Sequence, residues 1–229
     1  MPRPRGASVQ GLGEREDTQH ERPPAAGTWL GSRPRDITCQ AAPGADATAT
    51  TLAARSLRHQ LTTADPRLPA RNALLVAARW PLRRIRLPAA SLEAGRWLAA
   101  IDAPLPLVLG AMHVPNRVTR RKYPFLDAVL ACARRWRRGP ALFVGDTNSG
   151  RRGLDEEVPV FSEREEGWID ALTGCGWLDA FRHLRTDARA YTWYSPNGRN
   201  GFRIDQAFVN TALLAHLKDA AYVWGGATR

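Results

Sequence analysis

The sequence predicts a layered α/β protein, and three observations carry that prediction. Short apolar runs of strand length recur from residue 72 onwards, two amphipathic segments of helical period stand between them, and a hairpin near the C-terminus departs from plain βαβ alternation. At 229 residues and 44% apolar content the chain can bury one sizeable core. No apolar stretch approaches the ~18 residues that would span a bilayer, and Met1-Pro2-Arg3-Pro4-Arg5 leads into no apolar signal segment. Neither a membrane span nor secretion is expected. Cys39, Cys132 and Cys175 are odd in number, widely spaced and free of a C-x-x-C, which predicts reduced thiols in a cytoplasmic protein.

Residues 1–69 are rich in Pro, Gly, Ala and Thr, and they interrupt every apolar run within a few positions. Only Thr51–Leu61 shows a sustained helical period. This segment is expected to be poorly ordered, with the folded domain over 70–229.

From there the elements follow in order. Strands are predicted at Asn72–Ala78, Arg84–Leu87, Arg96–Asp102, Leu105–Val114 and Ala141–Val144. A helix within Thr119–Arg138 puts Leu126, Val129, Leu130 and Ala133 on one stripe and ends in arginines that suit its dipole. A second helix opens with Ser162-Glu163-Arg164-Glu165, a capping box, buries Trp168, Ile169 and Leu172, and stops at Gly174 or Gly176. Ala190–Ser195 and Phe202–Asn210 read as a hairpin across Pro196-Asn197-Gly198-Arg199-Asn200-Gly201. Asn210 caps a short helix to Leu217, and Ala220–Trp224 closes the chain as a strand. The acids Asp155, Glu156, Glu157, Glu163, Glu165 and Glu166 read as a solvated loop and a helix N-terminus.

The net charge of +11 favours phosphate-bearing partners. All but Lys122 and Lys218 of the 33 basic residues are arginine, however, and such a skew is also the mark of a GC-rich coding sequence. Charge alone leaves both readings open.

Three segments place polar residues where strands end. Gly145-Asp146-Thr147-Asn148 follows an apolar strand, so Asp146 can accept a proton from a water that Asn148 orients; Asp and Asn are equally ordinary turn residues. Gly110-Ala111-Met112-His113-Val114-Pro115-Asn116 brings His113 to a strand end as a phosphate donor, an acid or a half-buried imidazole. Arg203-Ile204-Asp205 puts Asp205 on a strand, where it could pair with Arg203 or Arg199, and Tyr191-Thr192-Trp193 precedes it with aromatic rings.

Taken in order, His113-Val114-Pro115-Asn116, Gly145-Asp146-Thr147-Asn148, Gly176-Trp177-Leu178-Asp179-Ala180-Phe181-Arg182, Tyr191-Thr192-Trp193 and Arg203-Ile204-Asp205 resemble the endonuclease/exonuclease/phosphatase superfamily. Ala78-Arg79-Trp80-Pro81 resembles the end of the family's early Ser-Arg-x-Pro strand, so the likeness covers about residues 71–224. It implies a four-layer sandwich of two facing mixed β-sheets flanked by helices, and a monomer that hydrolyses a phosphate ester, nucleic acid ahead of smaller esters, with Mg2+ or Mn2+. It implies Asp146, Asn148, His113 and Asp205 as catalytic residues, with Asp146 touching the metal. Asn116, Arg117, Trp193 and Arg203 fall to phosphate or substrate contact.

Two family features are not visible. Asp36-Ile37-Thr38-Cys39-Gln40-Ala41 is similar to the strand that carries the metal glutamate, but has alanine in its place, and no Ser-Asp-His follows Arg203-Ile204-Asp205. His216 lies on a predicted helix and is expected to be structural or exposed. Impaired catalysis is therefore expected, and the alternatives are a truncated product or a non-cleaving nucleic-acid binder with Arg117, Arg120, Arg121, Lys122, Arg151 and Arg152 as its basic face.

Overall fold

The computed structural model describes residues 28–30, 37–42, 57–68, 72–86, 96–102, 107–136, 139–224 and 227–228. Strands β1 (Thr28–Leu30), β2 (Ile37–Ala42), β3 (His59–Thr62) and β4 (Ala73–Ala78) form an antiparallel sheet in the order β1-β2-β4-β3. These pairings join segments on both sides of residue 70, where composition places the domain boundary. The helical period over Thr51–Leu61 does not extend to its end, because His59–Thr62 is β3; residues 51–56 lie outside the described residues.

The chain continues through β5 (Leu82–Ile85), β6 (Trp97–Asp102) and β7 (Val108–His113), then a 3-10 turn (Arg117–Thr119), helix α1 (Lys122–Arg134) and β8 (Ala141–Asp146). Helix α2 (Glu163–Gly174), β9 (Trp177–Asp179) and α3 (Ala180–Leu184) follow, then the hairpin β10 (Trp193–Tyr194) and β11 (Gly201–Phe202). Strand β12 (Asp205–Asn210), helix α4 (Thr211–Leu214) and the pair β13 (Val223–Trp224) and β14 (Ala227–Thr228) complete the described elements. The larger sheet runs β5-β6-β7-β8-β12-β9 and is mixed, since β7 and β8 are parallel and α1 makes the crossover between them.

Alternation along each strand sorts the core into layers. Leu74, Val76 and Ala78 of β4 face Leu98, Leu109, Ala111, Leu142, Val144 and Val209 of the large sheet, which seals the two sheets together. On the sheet's other face Val108, Met112, Phe143 and Phe208 pack against Phe125, Leu126 and Val129 of α1 and Trp168, Ile169 and Leu172 of α2. Strands buried on both faces need continuous apolar runs, and this is why Ala73–Ala78 and Ala141–Val144 are so legible. The capping box forms as the sequence predicts: the Glu165 amide donates to Ser162 Oγ, and Glu165 Oε2 accepts the Ser162 N–H at 2.6 Å.

The expected second hairpin strand is divided. Phe202 pairs with Trp193, but the chain then turns inward at Arg203 and joins the large sheet only from Asp205. The solvated-loop reading is corrected for Asp155 and Glu156, which are fully buried, whereas Glu157 is exposed; Glu163, Glu165 and Glu166 open α2 as expected, with Glu165 fully buried. Asp155 binds two arginines, and Glu156 accepts the N–H groups of Gly153, Val160 and Phe161. Burial of a carboxylate requires such partners.

Candidate active site

Three of the four predicted catalytic residues are set side by side by strand register. His113 ends β7 opposite Asp146 at the end of the parallel β8, and Asp205 opens β12 directly opposite Asp146 from the other side. The fourth, Asn148, stands two residues beyond Asp146. The turn that carries it needs Gly145, whose φ of 139° suits glycine and whose missing Cβ would lie 2.0 Å from the Met112 carbonyl oxygen.

Asn148 adopts φ 45°, a left-handed conformation that Asn tolerates better than most residues. Three contacts hold it there. Its N–H donates to Asp146 Oδ1 at 2.8 Å, its Nδ2 donates to the Val114 carbonyl at 2.8 Å, and its carbonyl accepts from Lys122 Nζ. Thr147 between them is fully buried, its hydroxyl shared between the Ile204 and Ser149 carbonyls.

Burial, then the nearby Asp205 charge, pushes the Asp146 carboxyl up to about 8, while burial pushes Asp205 up to about 6 against a hydrogen bond from Thr192. Two carboxyls that share a site cannot both ionise cheaply, and the pair is thereby able to take up a proton near neutrality. His113 Nε2 lies 3.6 Å from Asp146 Oδ2. Burial and the Arg96 guanidinium push this imidazole down to about 4, so His113 is neutral at pH 7 and can exchange hydrogen bonds but brings no positive charge. Arg96 itself donates to the His113 carbonyl at 3.3 Å and was not anticipated from sequence.

The predicted contact residues divide. Asn116 is exposed where the 3-10 turn begins, and Trp193 is 44% exposed on β10. Arg117 is committed to Glu165, with Nη2 2.7 Å from Oε2 and a further bond to the Val160 carbonyl. Arg203 is corrected outright. It is fully buried, its guanidinium clamped between Asp155 and Asp179 at 2.5–3.0 Å, so its side chain braces the fold and presents no exposed surface. The basic face proposed for a non-cleaving binder is likewise depleted: Lys122 is buried against Glu165, Arg151 pairs with Asp170, and Arg152 pairs with Glu163.

A metal requires more than Asp146 offers. Among the described residues no three His, Cys, Asp or Glu side chains converge as a ligand set, and the side chains of the Asp36–Ala41 segment lie outside the described residues. The residues described do not by themselves make a magnesium or manganese site.

A profile of the endonuclease/exonuclease/phosphatase family matches residues 17–226. The chain belongs to this family. Solved structures of the same fold include a 3'-5' exonuclease from Neisseria meningitidis, with a TM-score of 0.67 and 21% identity over 82% of this chain and 81% of that one. A Neisseria 3' phosphatase bound to a product DNA hairpin gives the same values, and an AP endonuclease from Archaeoglobus fulgidus gives 0.65 and 17% over 79% and 78%. At these identities the likeness is one of fold. No curated protein matches the chain. Family members are hydrolytic nucleases and phosphatases that generally use divalent metals, and in this member no described helix is long and apolar enough to cross a membrane.

Proposed function

We propose that this family member hydrolyses a phosphodiester of nucleic acid. Asp146 in its ionised form takes the proton of the attacking water, Asn148 orients that water, and neutral His113 donates a hydrogen bond to a phosphate oxygen. A bond forms from the water oxygen to phosphorus, the ester P–O bond breaks, and the leaving oxygen takes up one proton, which balances the one Asp146 received from the water. The observation that carries the reading is the register of β7, β8 and β12, which sets His113, Asp146 and Asp205 in one row. Asn116 and Trp193 are exposed and suited to a nucleotide, Trp193 through ring stacking.

The alanine aligned with the family's metal glutamate leads us to expect slow turnover, with Mg2+ or Mn2+ as the cation to supply. The test is cleavage of supercoiled plasmid DNA and of bis(p-nitrophenyl) phosphate by the purified chain with each cation. Asp146→Ala is expected to lower the rate about 10²–10³-fold, the usual loss for one preorganised group. Equal rates for Asp146→Ala and the parent would remove Asp146 from the chemistry, and no cleavage of either substrate would remove the hydrolase reading.

A further inference from the structure

We infer that Lys122, buried behind the site, is a positioning residue that holds Asn148 in its left-handed conformation, with Glu165 as its counter-charge. This rests on the hydrolase reading for its catalytic consequence, but its geometry stands apart from it.

Lys122 is 2% exposed and Glu165 fully buried, and Lys122 Nζ donates both to Glu165 Oε1 and to the Asn148 carbonyl. The helix does not ask for this residue. Lys122 is the first residue of α1, where the dipole favours an anion, and α1 carries no acid in its first turn. Nor does stability ask for it, since a buried ion pair is commonly no better than an apolar pair of the same volume. What Lys122 supplies is a compact ammonium with several donors, one of which reaches a backbone carbonyl of the Asp146–Asn148 turn. In a chain whose basic residues are otherwise almost all arginine, this is one of two lysines. A planar guanidinium fork does not converge on a carbonyl and a carboxylate in the same way.

Glu165 ties the device to the rest of the site wall. Its Oε2 closes the α2 capping box on Ser162 and accepts from Arg117 at the 3-10 turn, so one carboxylate links the His113–Arg117 segment, α2 and, through Lys122, Asn148. The Lys122 charge also opposes the upward push on the Asp146 carboxyl.

The test compares the full chain with Lys122→Met and with the double variant Lys122→Met/Glu165→Gln. The double variant removes both buried charges, leaves without its carboxylate only Arg117, whose side chain is 42% exposed to water, and keeps an oxygen for the Ser162 N–H, so it folds cooperatively, which its thermal melt verifies. Two readouts follow Asn148: amide hydrogen exchange by NMR, and the split of kcat from KM on bis(p-nitrophenyl) phosphate. Positioning predicts that the folded double variant exchanges the Asn148 N–H about 10- to 100-fold faster and loses kcat by a similar factor with KM unchanged, as a small misplacement of a reacting group does. A purely structural pair predicts full rescue, and parent-like exchange and kcat in the double variant would overturn the inference. Should the parent chain cleave nothing, the hydrolase reading fails alone and the Asn148 exchange rate still decides the positioning.

Discussion

At the scale of single residues, the same letter can serve a substrate or a core, and only its partners decide. Arg203 illustrates this, since its three-dimensional partners Asp155 and Asp179 are remote in sequence and Asp155 also holds Arg182. Burial alone would raise the Asp155 carboxyl, but hydrogen bonds and charge from Arg203, with the Arg151 N–H and Arg182, hold it below the ordinary carboxylate value. An acid lowered in the folded state stabilises the fold above its unfolded value near pH ~4 and loses that contribution as pH falls through the folded value. Urea melts from pH 6 to pH 3 should therefore show declining stability below about pH 4. Asp155→Asn should start about 3–5 kcal/mol lower, because Arg203 is left partly uncompensated, and should decline less steeply. A parent-like acid slope in Asp155→Asn would show that this cluster does not set the pH response. The juxtaposition of Asp146, His113 and Asp205 was legible because each ends or opens a strand within a distinctive motif, and Asn148 follows two residues beyond one of those strand ends. Lys122, Glu165 and Arg96 were not legible, because each acts from a different element onto the backbone or charge of another.

Elements were legible in proportion to how their burial patterned the sequence. Strands β4 and β8, covered on both faces, show as unbroken apolar runs, and α2 announces its start by its capping box. Strand β3 does not, since His59-Gln60-Leu61-Thr62 has only half-buried inner positions and a single large apolar residue. The break between β11 and β12 was hidden for a related reason: Phe202 and Ile204 form a small apolar cluster with Phe161 on either side of the buried Arg203, and the run reads as one strand. The join between β8 and the turn is the element feature most open to a test. Gly145→Ala would place a Cβ against the Met112 carbonyl on the neighbouring strand at a φ that L-residues rarely adopt. Strain of this kind costs about 1–3 kcal/mol before the clash is relieved by moving β7 from β8. Thermal melts should show at least that loss, and rates should fall further than the loss of folded protein accounts for, because His113 and Asp146 share the displaced register. A fully stable Gly145→Ala chain with parent-like rates would disprove the close approach.

For the whole molecule, composition and topology divide the chain differently. Composition sets residues 1–69 apart, yet β2 pairs with β4 over six positions and β3 pairs with it from the other side. Strand β4 is buried at every position, and its inner face supplies Leu74, Val76 and Ala78 to the core between the sheets. A strand without its neighbours leaves a row of N–H and C=O groups unpaired, and a buried strand cannot hand these to water without opening the sheet interface. The missing sequence signal is physical: small and polar residues can complete a sheet by backbone hydrogen bonds alone, which hydropathy does not register. A fragment beginning at residue 70 therefore tests where the folding unit starts. It should lack a cooperative thermal transition and bind ANS, whereas the full chain should melt cooperatively. A cooperative melt with native-like near-UV circular dichroism from the fragment would show instead that the large sheet and its helices fold without β1 to β3.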